Sequence, residues 1–319
     1  MQKFRTIQEM TETAMNVSLI GVPKKQERGC GSVRKALAVV MVLPMLILAA
    51  CGNNGDQQTD TLAKAKEQGY ITVGFANEQP YAYKDETGKL TGEAVEIAKV
   101  IMERLGIGEV KGELTEFTSL IAGLQAGRFD AITAGMFINE NRCKAVLFAN
   151  PEYSIGEALA VKAGNPLELT SYKSIADNAE VKVAVMAGAV EIDYLKAMGV
   201  KESQMLQVPD QDGAISALQS GRADAMTMTG PALQSRLEAA GDQTLERVDN
   251  FEQPVVDGED VTGYGATAFR PADTAFQAAY NAELEKMKES GELLEILQQF
   301  GFTEQELPRD VTAEQLCGG

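Results

Sequence analysis

Residues 124–133 read Leu-Gln-Ala-Gly-Arg-Phe-Asp-Ala-Ile-Thr, and residues 218–227 read Leu-Gln-Ser-Gly-Arg-Ala-Asp-Ala-Met-Thr. Seven of the ten positions are identical without a gap, at a separation of 94 residues. Each copy runs into a glycine, the residue that most readily takes the left-handed conformation just past a helix end. An Asp-Ala pair then opens a short run suited to a strand. Helix-glycine-strand junctions recur in α/β proteins, but seven ungapped identities point to two lobes of similar build. The spacing is too long for a solenoid, whose units span about 20–50 residues.

Working outward, the chain alternates between two periodicities. Strand patterns fall at residues 71–75 (Ile-Thr-Val-Gly-Phe), 182–186, 223–228 and 264–269, with helical patterns between most of them. Residues 93–105 place Val95, Ile97, Ala98, Ile101, Met102 and Leu105 at helical spacing. Residues 274–300 predict two packed helices with Leu284, Met287, Leu293, Leu294 and Leu297 as their apolar face. Such alternation implies an α/β fold with largely parallel sheets.

Composition narrows the chemistry. The 319 residues carry a formal net charge of −17 and contain no His and no Trp. Ser-His-Asp catalysis and His-ligated zinc are thereby excluded, and neither a metal nor a cofactor is expected. The acidic balance argues against nucleic acid, whose phosphates need clustered Lys and Arg. The charge is also uneven: residues 1–50 hold seven Lys/Arg against three acidic residues, a net of +4, which leaves −21 from Cys51 onward. Arg34 and Lys35 precede a fifteen-residue apolar run, residues 36–50, that contains Pro44 and ends Leu48-Ala49-Ala50-Cys51. The run is short for a bilayer span of about 20 residues, and its order of basic, apolar and small residues before a cysteine resembles a bacterial lipobox. Residues 1–50 are therefore expected to be a lipoprotein signal peptide, over-long at its start, with the true start near Val33. Cys51 becomes the acylated N-terminus, and residues 51–61 a flexible tether. Of the other cysteines, Cys30 leaves with the signal. Cys143 and Cys317 either form one pair or, the reading preferred on sequence, stay unpaired as small hydrophobes.

A series of ordered motifs carries a family resemblance. They are Val73-Gly74-Phe75, then Pro80-Tyr81-Ala82-Tyr83, then Leu90-Thr91-Gly92-Glu93-Ala94-Val95-Glu96-Ile97-Ala98-Lys99. Phe117-Thr118-Ser119-Leu120-Ile121, Gly135-Met136 with Asn141-Arg142, and Phe148-Ala149-Asn150-Pro151-Glu152-Tyr153 follow. From about Leu62 to Phe302 the chain resembles the solute-binding proteins of polar amino acid ABC importers. That resemblance implies the type II periplasmic-binding-protein fold, two α/β lobes joined by two crossover strands, here near residues 156–161 and 260–266. Lobe 1 would comprise residues 62–160 and 260–319, and lobe 2 residues 161–259. It further implies a monomeric, non-enzymatic, extracytoplasmic receptor. Lipid at Cys51 would hold it to the cell membrane, in the periplasm or on the outer face of the cytoplasmic membrane, where it hands a small zwitterion to an ABC permease.

Within that family the motifs look most like those of the ectoine/hydroxyectoine-binding proteins. The resemblance assigns Arg142 to the ligand carboxylate, since a guanidinium offers parallel donors matched to two oxygens. It assigns Tyr81, Phe117 and Phe137 to a cage for the delocalised amidinium, each ring contributing about 0.5–2 kcal/mol. Glu78 either accepts the amidinium N–H groups or stays a solvated loop carboxylate. Gly188-Ala189 stands where the family often has Gly-Thr, which leaves backbone N–H groups of Ala189 and Val190, ahead of a helix starting near Glu191. Thr229 stands where amino acid binders commonly carry Asp, so the carboxylate for an α-ammonium is expected to be missing. Two alternatives stay open: a polar or cationic amino acid receptor, and an exported enzyme resembling the cyclohexadienyl dehydratases. The latter needs a proton donor and cationic groups for a second carboxylate, and the matched motifs supply no second clamp beside Arg142.

Overall fold

The computed structural model describes residues 60–256 and 258–318. The expected signal segment, the lipidated Cys51 and the tether as far as residue 59 lie outside the described residues. Asp60 belongs to the folded body: its carboxylate caps the helix Thr61–Gln68 by accepting from the Leu62 and Ala63 amides at 3.0 and 3.3 Å.

Two five-stranded sheets organise the chain. Across the first, the order is Glu109–Leu114, Tyr70–Phe75, Ala131–Ile132, Ala268–Phe269, Leu147–Phe148. Across the second it is Met205–Val208, Val183–Met186, Ala225–Thr229, Glu157–Lys162, Leu245–Arg247. The sheets share one plan, in which a central strand is flanked by two parallel neighbours and an antiparallel pair completes the far side. Four of the five strands in each sheet run in one direction and one runs against them, so the sheets are largely parallel, as the alternation implied. The reversed strands are Ala268–Phe269 in the first sheet and Glu157–Lys162 in the second, each laid down directly after the chain has changed sheets.

The decamer repeat explains the shared plan. Gly127 and Gly221 take φ of +71° and +70°, each just beyond a helix, Leu120–Gln125 and Gln211–Gln219. The Arg128 amide then donates to Gly123 O and the Arg222 amide to Ala217 O, closing the same helix-end motif twice. The following aspartates repeat a second device. Asp130 exchanges hydrogen bonds with the backbone of Thr72, and Asp224 does the same with Lys182, so each carboxylate registers its strand on the parallel neighbour. The unmatched position is filled to suit each lobe: the buried Phe129 ring occupies the space left open by Gly74 and Gly123, where Ala223 stands in the second copy.

The chain passes between sheets along Tyr153–Ile155 and returns along Gly263–Gly265, and these segments pair antiparallel with each other. Residues 157–162, expected near the first crossing, run inside the second sheet. The expected strand 264–269 is divided, because only Ala268–Phe269 joins the first sheet. Thr274–Ser290 and Glu292–Gln299 are the two expected C-terminal helices. Glu109–Leu114 was not legible as a strand; it is an edge whose charged residues face solvent, so no apolar alternation marks it.

Cys143 and Cys317 are joined by a disulfide with Cα atoms 5.7 Å apart, closing a separation of 174 residues. The preferred reading of two unpaired thiols is corrected. The C-terminal residues fold back as a capped turn, Ala313–Leu316, which delivers Cys317 to the single-turn helix Glu140–Cys143, a proximity that spacing cannot reveal.

Candidate functional site

A cavity with about 50 Å³ of free space lies between the two sheets. Glu78, Tyr81, Phe117, Phe137, Arg142, Ala189, Val190 and Thr229 all line it, so eight of the nine ligand residues expected from sequence converge.

Local structure explains how they are aimed. The Glu78 and Ala82 amides and carbonyls bond reciprocally at 2.9 Å, tying off a turn that presents Glu78 and Tyr81 to the same wall. Phe137 bridges to Gly265 on the returning segment, and its ring lies so close to Gly263 that any β-carbon there would overlap it. Arg142 sits on the helix Glu140–Cys143, capped by Asn139, whose side chain accepts from the Arg142 amide at 2.9 Å. Its guanidinium donates to Phe137 O at 2.8 Å and lies 5.3 Å from the Phe117 ring centroid. Phe117 therefore supports the arginine as well as facing the cavity. Tyr81 packs one face on Tyr153, ring centroids 5.4 Å apart.

Hydrogen bonds reach across the cavity from one sheet unit to the other. The Tyr81 hydroxyl pairs with Thr229 Oγ1, Arg142 Nη2 donates to Gly188 O at 3.1 Å, and Gln211 Nε2 donates to Gln79 O at 3.1 Å. Gly188 is the expected residue that does not line the cavity, because its carbonyl is turned to Arg142. The Ala189 amide is also occupied, donating to Met186 O at 3.2 Å. The expected pair of free amides is thereby reduced, and Arg142 remains as the strong anion-binding group.

The sequence reading missed the second carboxyl group in the wall. Glu191 lines the cavity from the start of the helix Glu191–Ala197. Behind it is Glu157, which is the register partner of Thr229 and is only 3% exposed. Both oxygens of Glu157 lack a donor, and its carboxyl group faces that of Glu191 closely enough to share a proton. The expectation that this wall offers no carboxylate, drawn from Thr229, is corrected: the acidic groups come from the adjacent strand and helix. The available signal was the place of Glu191 directly after Gly188-Ala189-Val190. Gln211, also in the wall, keeps its Oε1 without a partner.

Electrostatics follow from burial. Burial, reinforced by the Glu191 charge, pushes the Glu78 carboxyl group well above its ordinary value, against the pull of Arg142. Burial and then Glu191 push Glu157 well above as well. Glu191 is raised by burial, but its own amide, Arg142 and the hydrogen bond from Glu157 oppose the rise. Burial lowers Arg142, opposed by Glu191 and Glu78. The arrangement can hold a carboxylate at Arg142, a flat cation against aromatic rings, and N–H donors at the acidic groups.

Comparison with known proteins places this geometry. Residues 71–304 match the model of the bacterial extracellular solute-binding proteins, family 3. The "Probable amino-acid ABC transporter periplasmic-binding protein y4tE" of Sinorhizobium fredii is 34% identical over 81% of this chain and 86% of its own length. The "ABC transporter glutamine-binding protein GlnH" of Bacillus subtilis is 28% identical over 82% and 94%. Among solved structures, EhuB in complex with hydroxyectoine superposes with a TM-score of 0.73 at 36% identity, covering 80% of this chain and 97% of that one. The chain belongs to the family 3 bacterial extracellular solute-binding proteins and has their type II periplasmic-binding fold. It is a solute-binding protein of an amino-acid-type ABC transporter.

Proposed function

We propose that this protein captures ectoine or hydroxyectoine and delivers it to an ABC permease. The observation that carries the reading is the convergence of one guanidinium, Glu78 and three aromatic side chains on one small cavity. A carboxylate on Arg142 would be desolvated and bidentate, while the amidinium would lie against the rings with its N–H groups on carboxylates. The structural likeness to EhuB, which was solved with hydroxyectoine, supports the same ligand class. The parts of the chain that build the two sheets act as two lobes that close about the crossing segments Tyr153–Ile155 and Gly263–Gly265, so that ligand affinity shifts the open and closed populations. Acylation of Cys51 anchors the monomeric receptor outside the cytoplasm.

Titration calorimetry with ectoine tests the reading, with a micromolar or tighter Kd as the expected result. No heat with ectoine alongside clear binding of a common amino acid would overturn it. A cationic amino acid receptor is the second reading, favoured by one observation: Glu157 and Glu191 restore acidic groups beside Thr229. Arginine and glutamine in the same titration series separate the two.

A further inference from the structure

One stretch near the C-terminus touches the backing of the cavity at three places. After the helix Glu292–Gln299 the chain sets the buried Phe302 ring against Tyr153 and Tyr81, with centroids 5.4 and 6.1 Å apart. The turn Glu304–Glu306 follows, and Leu307 O then accepts from Ser154 Oγ, on a crossing segment, at 3.0 Å. The Ala313 amide donates to Asn150 Oδ1 at 3.2 Å, and Cys317 closes on Cys143. Residues 302–317 thus reach the cavity aromatic Tyr81, the crossing between sheets and the helix that carries Arg142.

The two ends of the disulfide differ in what else holds them. On the tail side Phe302 and Ala313 are buried, and the bonds at Ser154 and Asn150 fix the backbone between them. On the other side Glu140–Cys143 is a single turn, none of whose residues is fully buried, although Ile138 and Val146 enter the core before and after it. So short a helix does not stand on its own backbone hydrogen bonds. The bonds from Arg142 to Phe137 O and Gly188 O anchor the tip of its side chain and leave the turn beneath it unheld. A crosslink that only kept the tail from fraying would add little to a tail already packed. Ending one residue from Arg142, it supplies the hold that the arginine helix lacks.

We propose that the C-terminal strap, residues 302–317, is a positioning element for ligand binding: through the Cys143–Cys317 bond it holds the turn that sets the Arg142 guanidinium against the ligand carboxylate. Two parallel donors match two oxygens only over a narrow range of angle. Freeing the turn therefore weakens the anion site without altering any group that meets the ligand. Neither cysteine lines the cavity, so both act through Arg142. This rests on the cavity being the ligand site, and it holds for any ligand that presents a carboxylate to Arg142.

The test titrates ectoine, arginine and glutamine into the purified full chain, into its Cys143→Ala/Cys317→Ala double variant, and into wild type reduced with dithiothreitol. All are held at a temperature where circular dichroism shows them folded; if the double variant does not fold, the reduced wild type gives the same comparison. Loss of the crosslink should weaken the accepted ligand by about fivefold or more. In an Arg142→Lys background, where the fork is gone, the same loss should cost less than about twofold, a non-additivity that a merely structural bond would not produce. Amide hydrogen exchange should quicken at residues 140–146 and stay unchanged at Leu120–Gln125. Arginine bound in place of ectoine, with the loss and its non-additivity kept, would remove the ectoine reading and leave this inference standing. Ectoine bound within about twofold by the folded uncrosslinked protein, or weakened equally in both backgrounds, would overturn the inference and leave the ectoine reading intact. Silence of the wild type toward all three ligands would also overturn it.

Discussion

Two pairs of buried glutamates sit within this fold, and they are provided for differently. Glu93 and Glu152 lie beside the crossing segments, 0% and 1% exposed. Glu157 and Glu191 lie at the cavity wall. In the first pair, Glu152 Oε1 accepts from the Tyr280 hydroxyl at 2.7 Å and from the Thr267 hydroxyl at 2.8 Å, and the Glu152 amide is bonded to Gly265 O. In the second pair no hydroxyl reaches Glu157, and the nearby cation, Arg142, is turned toward carbonyls. Burial is nearly equal, and each pair has one member, Glu93 or Glu157, with neither oxygen bonded; the difference is that Glu152 receives two hydroxyls whereas the second pair borders the cavity. A carboxyl group whose donors come from its own fold is part of the scaffold, whereas one left short beside a cavity is available to a ligand.

The comparison is most exposed to failure at Arg142. Arg142→Ala should cost about 2–5 kcal/mol of ligand affinity, because the carboxylate loses a desolvated partner and Glu191 loses its neighbouring cation. Unchanged affinity in calorimetry would take the cavity pair out of ligand binding. Next in size is the crosslink behind that arginine. Cys317→Ser should lower unfolding free energy by about 2–4 kcal/mol, as read from denaturant midpoints, since it frees Cys143 at the end of the Arg142 helix.

The scaffold pair should govern stability and leave affinity alone. Glu152→Gln is expected to raise stability at pH 8 by about 1–2 kcal/mol while keeping an acceptor for Tyr280 and Thr267, with ligand Kd unchanged within about twofold. In the wild type, burial lifts Glu152 from its ordinary 4.5 to about 7. Between those values the folded chain holds a proton that the unfolded chain releases, so stability falls as pH rises through 7 and is recovered below 4.5. The Tm should therefore be higher at pH 6 than at pH 8, and the difference should shrink in Glu152→Gln. A flat wild-type profile would break the assignment. The smallest effect is expected at Tyr81→Phe, which removes the hydroxyl paired with Thr229 and should weaken binding by about 0.5–1.5 kcal/mol.

Much of the site could be read from sequence because several of its residues sit in short, rigid local structures. Tyr81 and Glu78 share one turn, Phe137 and Arg142 are five residues apart, and Thr229 ends the strand that follows the second decamer copy. Glu157 and Glu191 were missed for the opposite reason. They are 34 positions apart, on a strand and at a helix start, and the place of Glu191 directly after Gly188-Ala189-Val190 is the one local signal. Gly188 and Ala189 were placed in the right segment, but which of their polar groups stayed free depended on Arg142 and Met186.

The sequence by itself determined the two-lobe plan, through a glycine-ended helix and an aspartate that registers the next strand, because such junctions are settled by residues a few positions apart. Tertiary structure alone decided that Cys143 meets Cys317, that one strand in each sheet runs against the rest, and that acidic groups stand opposite Arg142. Those outcomes depend on segments remote in the chain being brought together with water excluded between them, and only packing fixes which donor a buried acceptor will find.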